Sequence, residues 1–321
     1  MDGEQVRLVE QSKNNTIMKK IFISIMAVAA LAACNKADIV NVDPGEAIEF
    51  GNAFVDNATK AEDPTYGTVS LTKFQVYGTV KGTGNGVVNI FNGAEVNGSI
   101  GENAWTCGVK QYWIANATYN FAAVADATVE TDGSGMPTTL TTVANATSNF
   151  KDMLYASAVA TGKASGNDKV NFTFSHLLSK AQFTVTSNTE DDYYYSVKNI
   201  NVTNYKSGTY TISTQTWTPA ESNIVAFGNV EKVTKNNNNK TNATQMLLVP
   251  SETDFKVTFT VEIYKGETLL GTTDYEKDVT TDLVAGHAYN FTIALSVGEL
   301  IEFTVTSNPT WDSSAGTVTV M

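Results

Sequence analysis

The chain has 321 residues and is 42% hydrophobic, an ordinary globular fraction that allows a sizeable core. Its formal net charge of −12, from 33 acidic and 21 basic residues, is spread along the chain. No basic run follows residue 34, which argues against nucleic acid as a partner, because such binding rests on clustered Lys and Arg.

The first organised stretch is "MKKIFISIMAVAALAACNK", which begins at Met18. Lys19 and Lys20 form a basic start, Ile21 to Ala33 is apolar apart from Ser24, and the run closes on Leu31-Ala32-Ala33-Cys34. A membrane-spanning helix needs about 20 apolar residues, so this run is too short. Its layout is that of a bacterial signal peptide, and its ending fits a lipobox. The sequence therefore predicts a signal over 18–33 and a lipid on Cys34 as the mature N-terminus. Residues 1–17 are then expected to be an overcalled gene start. With Cys34 lipidated, Cys107 has no partner for a disulfide and reads as a small buried hydrophobe.

Short alternating runs rich in Val, Thr, Tyr and Phe follow, which is strand chemistry. In chain order they are 47–55, 71–80, 87–93, 107–114, 118–125, 169–174, 180–187, 197–205, 255–264 and 288–296. The clearest is "FKVTFTVEIY", where Phe255, Val257, Phe259, Val261 and Ile263 share one face and Lys256, Thr258, Thr260 and Glu262 share the other, as in a half-buried antiparallel strand. Turn-forming clusters separate the runs at 81–86, 131–136, 165–168 and 235–242. The Asn tract at 236–239 reads as an exposed loop. Only "NFKDMLYASA" (149–158) reads as helical. Many short strands with frequent turns predict an all-β sandwich or barrel with little helix. The chain after Cys34 is long enough for two domains, expected over 34–177 and 178–321.

Motifs of catalysis are missing. His176 and His287 are the only histidines, and neither HExxH nor CxxC is present, so no metal site and no cofactor are expected. There is no Gly-x-Ser-x-Gly elbow. "KGTGNG" (81–86) lacks the helix and the Lys-Ser/Thr ending of a phosphate loop and reads as a hairpin. His176 is expected to be hydrogen-bonded at a strand end or domain junction, and His287 to be a solvated turn residue. In "DDYYYS" alternation places Tyr193 and Tyr195 on one face and Tyr194 on the other. These tyrosines, with Tyr112 and Trp113, suit either the core or a recognition surface. The chain is read as a protein without enzymatic activity.

Several segments, in order, resemble the fimbrillin family of Bacteroidales, the subunits of type V pili and their relatives. They are the lipobox, "IEFGNAFVDNATKA" (48–61), "LTKFQVYGTV" (71–80), "YWIANATYNFAAVA" (112–125), "KDMLYA" (151–156), "VNFTFSHLLSKAQFTVT" (170–186), "TQMLLVPS" (244–251), "LVAGHAYNFTIAL" (283–295) and "IEFTVTSNPTWD" (301–312). The chain departs from the family at Lys60, often Arg, and at Pro250-Ser251, often Pro-Gln.

The resemblance implies two β-sandwich domains (transthyretin-like) and an outer-membrane lipoprotein displayed at the cell surface or in a fimbrium. It also implies partners: other pilus subunits, the membrane through Cys34, and a host or bacterial surface ligand. Assembly would proceed by strand exchange. A trypsin-like protease cuts between Lys60 and Ala61, the first strand leaves with its lipid, and a C-terminal strand of the next subunit fills the groove. On this sequence the donor positions would be Ile301, Phe303 and Val305, with Val318 and Val320 on a second strand, all within 301–321. A surface adhesin or glycan-binding lipoprotein that never polymerises is the alternative.

Overall fold

The computed structural model describes residues 45–55, 71–82, 84, 86–99, 105–144, 150–236, 239–241, 245–296, 302–308 and 316–318. Among these residues the regular elements are all strands, as the alternating pattern predicts. The first part of the chain supplies β1 (Phe50–Val55), β2 (Lys73–Lys81), β3 (Val87–Asn97), β4 (Thr106–Cys107), β5 (Thr118–Ala125), β6 (Ala127–Thr131), β7 (Pro137–Thr142), β8 (Leu154–Thr161) and β9 (Val170–His176). The second supplies β10 (Ser179–Asn188), β11 (Tyr193–Tyr205), β12 (Gly208–Thr211), β13 (Thr216–Pro219), β14 (Ser222–Val233), β15 (Asn239–Thr241), β16 (Met246–Leu248), β17 (Phe255–Lys265), β18 (Thr268–Val279), β19 (Ala288–Ser296), β20 (Glu302–Asn308) and β21 (Gly316–Val318).

A seven-stranded sheet runs in the order β1-β9-β8-β5-β2-β3-β4. Its pairs are antiparallel except β1 with β9. The sheet curls until its two ends meet: Trp105, just before β4, donates its N–H to the Phe50 carbonyl at 3.4 Å. Phe50, Phe74, Phe91, Phe121, Phe172 and Phe174 fill the interior.

Past Leu178 a second core lies between two sheets, β15-β10-β19-β20-β21 with β16 on β10, and β14-β11-β17-β18. Phe183 stands at its centre, with its ring 5.0 Å from Phe291 and 4.9 Å from Phe227. β17 buries Phe255, Val257, Phe259 and Val261, and Ile263 packs beside them, as its alternation requires. A further sheet, β13-β12-β7-β6, draws strands from both sides of Leu177. Beneath it Tyr77, Val124, Leu140, Met153, Leu178 and Tyr210 form a third apolar cluster.

Three local expectations are corrected. The segment 149–158, expected to be helical, has no helix over its described residues 150–158: Leu154 opens β8, which pairs with β5 from Thr161↔Thr118 to Leu154↔Ala125. Leu154 and Ala156 face the core while Ser157 and Val159 face out, so period-2 burial overrides helix propensity. The run 107–114 is mostly loop, because β4 ends at Cys107 and Ile114 turns back to cap Tyr119. The Asn tract is an exposed turn at Asn236 as expected, but Asn239, also exposed, opens β15, which pairs antiparallel with β10.

Candidate assembly site at the first strand

β1 is the first described strand of the chain, and its inward residues are Ile48, just before it, Phe50, Ala53 and Val55, all buried. Strict alternation would turn Asn52 inward. A one-residue bulge turns Ala53 inward in its place: Phe50 pairs with Val170, but Ala53 pairs with Phe172. Gly51 and Asn171 make the bulge possible. A Cβ on Gly51 would lie 2.3 Å from Asn171 Oδ1, and that oxygen accepts the Asn52 N–H at 2.8 Å.

The strand is gripped along both edges. On one side the Val170 N–H donates to the Glu49 carbonyl at 2.8 Å. On the other, the Ile48 N–H donates to the Gln111 carbonyl at 2.8 Å, and Trp105 bonds Phe50 as above. Lys169 Nζ stands 3.2 Å from Glu49 Oε2. The Phe50 ring touches four others: Phe91 at 5.6 Å, Phe172 at 6.0 Å, and Phe74 and Phe121 each at 6.5 Å. Burying one such side chain is worth about 1.5–3 kcal/mol, and edge-to-face aromatic contacts add to it. Trp105 seals the seam, 5.1 Å from Phe74, and its indole Nε1 is buried without a hydrogen-bond partner among the described residues.

At the other terminus β20 pairs antiparallel with β19, placing Phe303 opposite Ile293 and Val305 opposite Phe291. Val305 is fully buried in the second core. β21 adds to β20, with Val318 opposite Val305. The first and last described strands thus lie in different sheets: β1 in the seven-stranded one, β20 and β21 beside β19. Cys34, Lys60, Ala61, Ile301 and Val320 lie outside the described residues.

The remaining candidates are absorbed by packing. His176 ends β9, and its Nδ1 sits 3.0 Å from Asp152 Oδ1 and 2.9 Å from Oδ2, a hydrogen-bonded strand end as the sequence predicts. His287 is half-buried, with its ring against Tyr289, and burial lowers its pKa; it is less solvated than a turn histidine was expected to be. Cys107 packs at the margin of the first core, and burial pushes its thiol up, away from thiolate reactivity. Trp113 and Tyr195 are core residues. Tyr194, on the outer face, stacks on Tyr264 at 4.7 Å. A shallow groove of about 370 Å³ on the outer sheet is lined by Asn199, Asn201, Thr258, Thr260, Asp274 and Glu276. It brings no histidine or cysteine to those carboxylates. Among the described residues no group of His, Cys, Asp and Glu is placed to hold a metal ion.

What sequence reading missed is the two-sided grip by Val170, Gln111 and Trp105. Trp105 stands alone between Gly98 and Cys107 with no periodicity to mark it. Its only sequence signal is Gly98, where a Cβ would come 2.6 Å from the indole.

A family model described as fimbrillin-like matches residues 59–309. Comparison with curated proteins returns no match. Among solved structures, the chain is similar to a fimbrial protein from Bacteroides vulgatus at 14% identity and a TM-score of 0.58, covering 82% of this chain and 99% of that one. A proposed cell adhesion protein from Bacteroides uniformis shares 20% identity over 82% of this chain and 98% of its own, with a TM-score of 0.49. A fimbrial assembly protein from Parabacteroides distasonis shares 12% identity over 81% and 96%, with a TM-score of 0.44.

Proposed function

The chain belongs to the fimbrillin-like family, and from that premise we propose that it is a pilus subunit, exported as a lipoprotein and assembled by strand exchange. It is a structural protein rather than an enzyme. In this reading Cys34 carries the lipid that holds the precursor to the outer membrane at the cell surface. In the same reading two sandwich domains meet near residue 178, which the separate apolar cores on either side of Leu177 and Leu178 support. Cleavage between Lys60 and Ala61 frees β1 together with the lipid. The emptied slot then takes a strand from the C-terminal region of the next subunit.

The observation that supports this reading most is the setting of β1. It is one strand, bonded on both edges and filled by Phe50, at the seam where a curled sheet meets itself. Its loss would leave two rows of unpaired backbone groups and an apolar slot, the requirements of strand addition. Truncation after Leu300 tests the donor half of the scheme: the shortened chain should remain monomeric after cleavage, and polymers of the truncated chain would refute it.

One observation favours the adhesin reading. β20 is seated in its own sheet, with Val305 fully buried. A tail that never leaves that seat describes a monomeric surface adhesin. The two readings part on whether β20 can be released once β1 is gone from a neighbour.

A further inference from the structure

The strand in the slot and the strand near the C-terminus carry the same tripeptide: Ile48-Glu49-Phe50 recurs as Ile301-Glu302-Phe303. Each position of the first copy has its own receptor. Ile48 is buried at the edge of the first core, and its N–H bonds Gln111. Glu49 points outward to Lys169 at 3.2 Å, while its carbonyl accepts the Val170 N–H. Phe50 fills the cage of Phe74, Phe91, Phe121 and Phe172. The sequence of receptors is therefore apolar, basic, aromatic, and the second copy offers the matching apolar, acidic, aromatic order.

We propose that this slot recognises Ile-Glu-Phe, and that its occupant after cleavage is the 301–305 segment of a second copy of this chain. The segment runs parallel to β9 in the register β1 holds now, with Phe303 in the Phe50 cage and Glu302 on Lys169. The assignment rests on the strand-exchange reading and adds to it a recognised tripeptide, a direction and a register.

The residues after the tripeptide say how the replacement differs from the plug. β1 inserts an extra residue between Phe50 and Ala53, whose partners Val170 and Phe172 are only two apart. An incoming strand without that bulge places Val305 opposite Phe172, where β1 has only Ala53. Thr304 falls where Gly51 sits, so its Cβ displaces Asn171 Oδ1. That oxygen serves the Asn52 N–H, a bond the bulge creates and an unbulged strand does not need. The incoming strand thus makes an uninterrupted ladder and fills the slot with a larger side chain. Before docking, the same segment must leave its antiparallel pairing with β19.

The test uses the mature protein, cut by trypsin after Lys60, and a labelled peptide of residues 300–308, so that no substitution disturbs the second core. The peptide is expected to bind the cut protein and not the uncut one, and to block polymer formation. The peptide with Phe303→Ala should bind at least about tenfold more weakly, as loss of a buried aromatic anchor predicts. The peptide with Glu302→Lys should bind wild-type protein more weakly and recover on protein carrying Lys169→Glu, a position with a half-exposed side chain. Equal binding of the Phe303→Ala peptide, or no recovery in the charge swap, overturns the register. Polymers that form while the peptide neither binds nor competes leave strand exchange standing and overturn this occupant. Absence of both polymers and peptide binding removes the strand-exchange reading as well.

Discussion

Tyr119 and Tyr289 are held by the same pair of hydrogen bonds. Each hydroxyl accepts the backbone N–H of the residue five positions earlier, Ile114 at 2.6 Å and Val284 at 2.8 Å. Each donates to the carbonyl seven positions earlier, Tyr112 at 3.2 Å and Asp282 at 2.7 Å. A left-handed residue precedes each, Asn116 with φ 62 and Gly286 with φ 74. Each is followed by Asn-Phe, and its ring stacks on that Phe at 5.9 and 6.5 Å. The host strands occupy different places, β5 between β2 and β8, β19 between β10 and β20. The corner is thus a local device for leading a loop into an interior strand, of the kind known from other sandwiches.

Removing either hydroxyl leaves a backbone N–H without its acceptor. Tyr119→Phe and Tyr289→Phe should each lower unfolding free energy by about 1–3 kcal/mol, measured by urea denaturation with circular dichroism. Wild-type stability in both variants would show that the corner is incidental.

Burial also raises the Tyr119 and Tyr289 hydroxyls above the ordinary tyrosine value. In the unfolded chain these groups ionise near pH 10, whereas in the fold they stay neutral longer. Their contribution is fully present below that pH and is lost as pH rises through the folded values. Unfolding free energy should therefore fall in the alkaline range, and less steeply in Tyr289→Phe. Equal slopes in the two proteins would contradict the assignment.

Much of the fold was legible because alternation is a local property. β17 and β19 bury every second residue, and both were readable from Phe255-Val257-Phe259 and Tyr289-Phe291-Ile293. β18 was not, because an edge strand that exposes Leu269, Leu270, Thr272, Thr273 and Asp274 in near succession has no buried face to announce it. β8 was misread because "DMLYASA" is built of good helix formers, and only its pairing with β5 decides otherwise. At the candidate assembly site Ile48 and Phe50 were visible as inward residues of a first strand. The bulge was not, since it depends on Asn171, far along the chain, and nothing local foretells that Ala53 rather than Asn52 turns inward.

If β1 is the plug proposed above, Phe50 is the residue on which it depends. Phe50→Ala empties a cage of four rings and should cost about 3–5 kcal/mol in the uncleaved protein. After cleavage the N-terminal fragment should separate faster than from wild type, followed by gel filtration of the cut protein. Retention of the fragment at the wild-type rate would mean that main-chain bonds alone hold β1.

In the proposed reading the membrane anchor depends on Cys34. Cys34→Ser should abolish incorporation of labelled palmitate and shift the protein out of the detergent phase. Unchanged labelling would place the lipid elsewhere.

The most direct test of assembly by strand exchange is electrophoresis in sodium dodecyl sulfate, without boiling, of the mature protein after trypsin treatment. The account predicts a ladder of resistant polymers from wild-type protein and a single monomer band from Lys60→Ala. A ladder from Lys60→Ala equal to that of wild type, or a monomer band from fully cleaved wild-type protein, would contradict it.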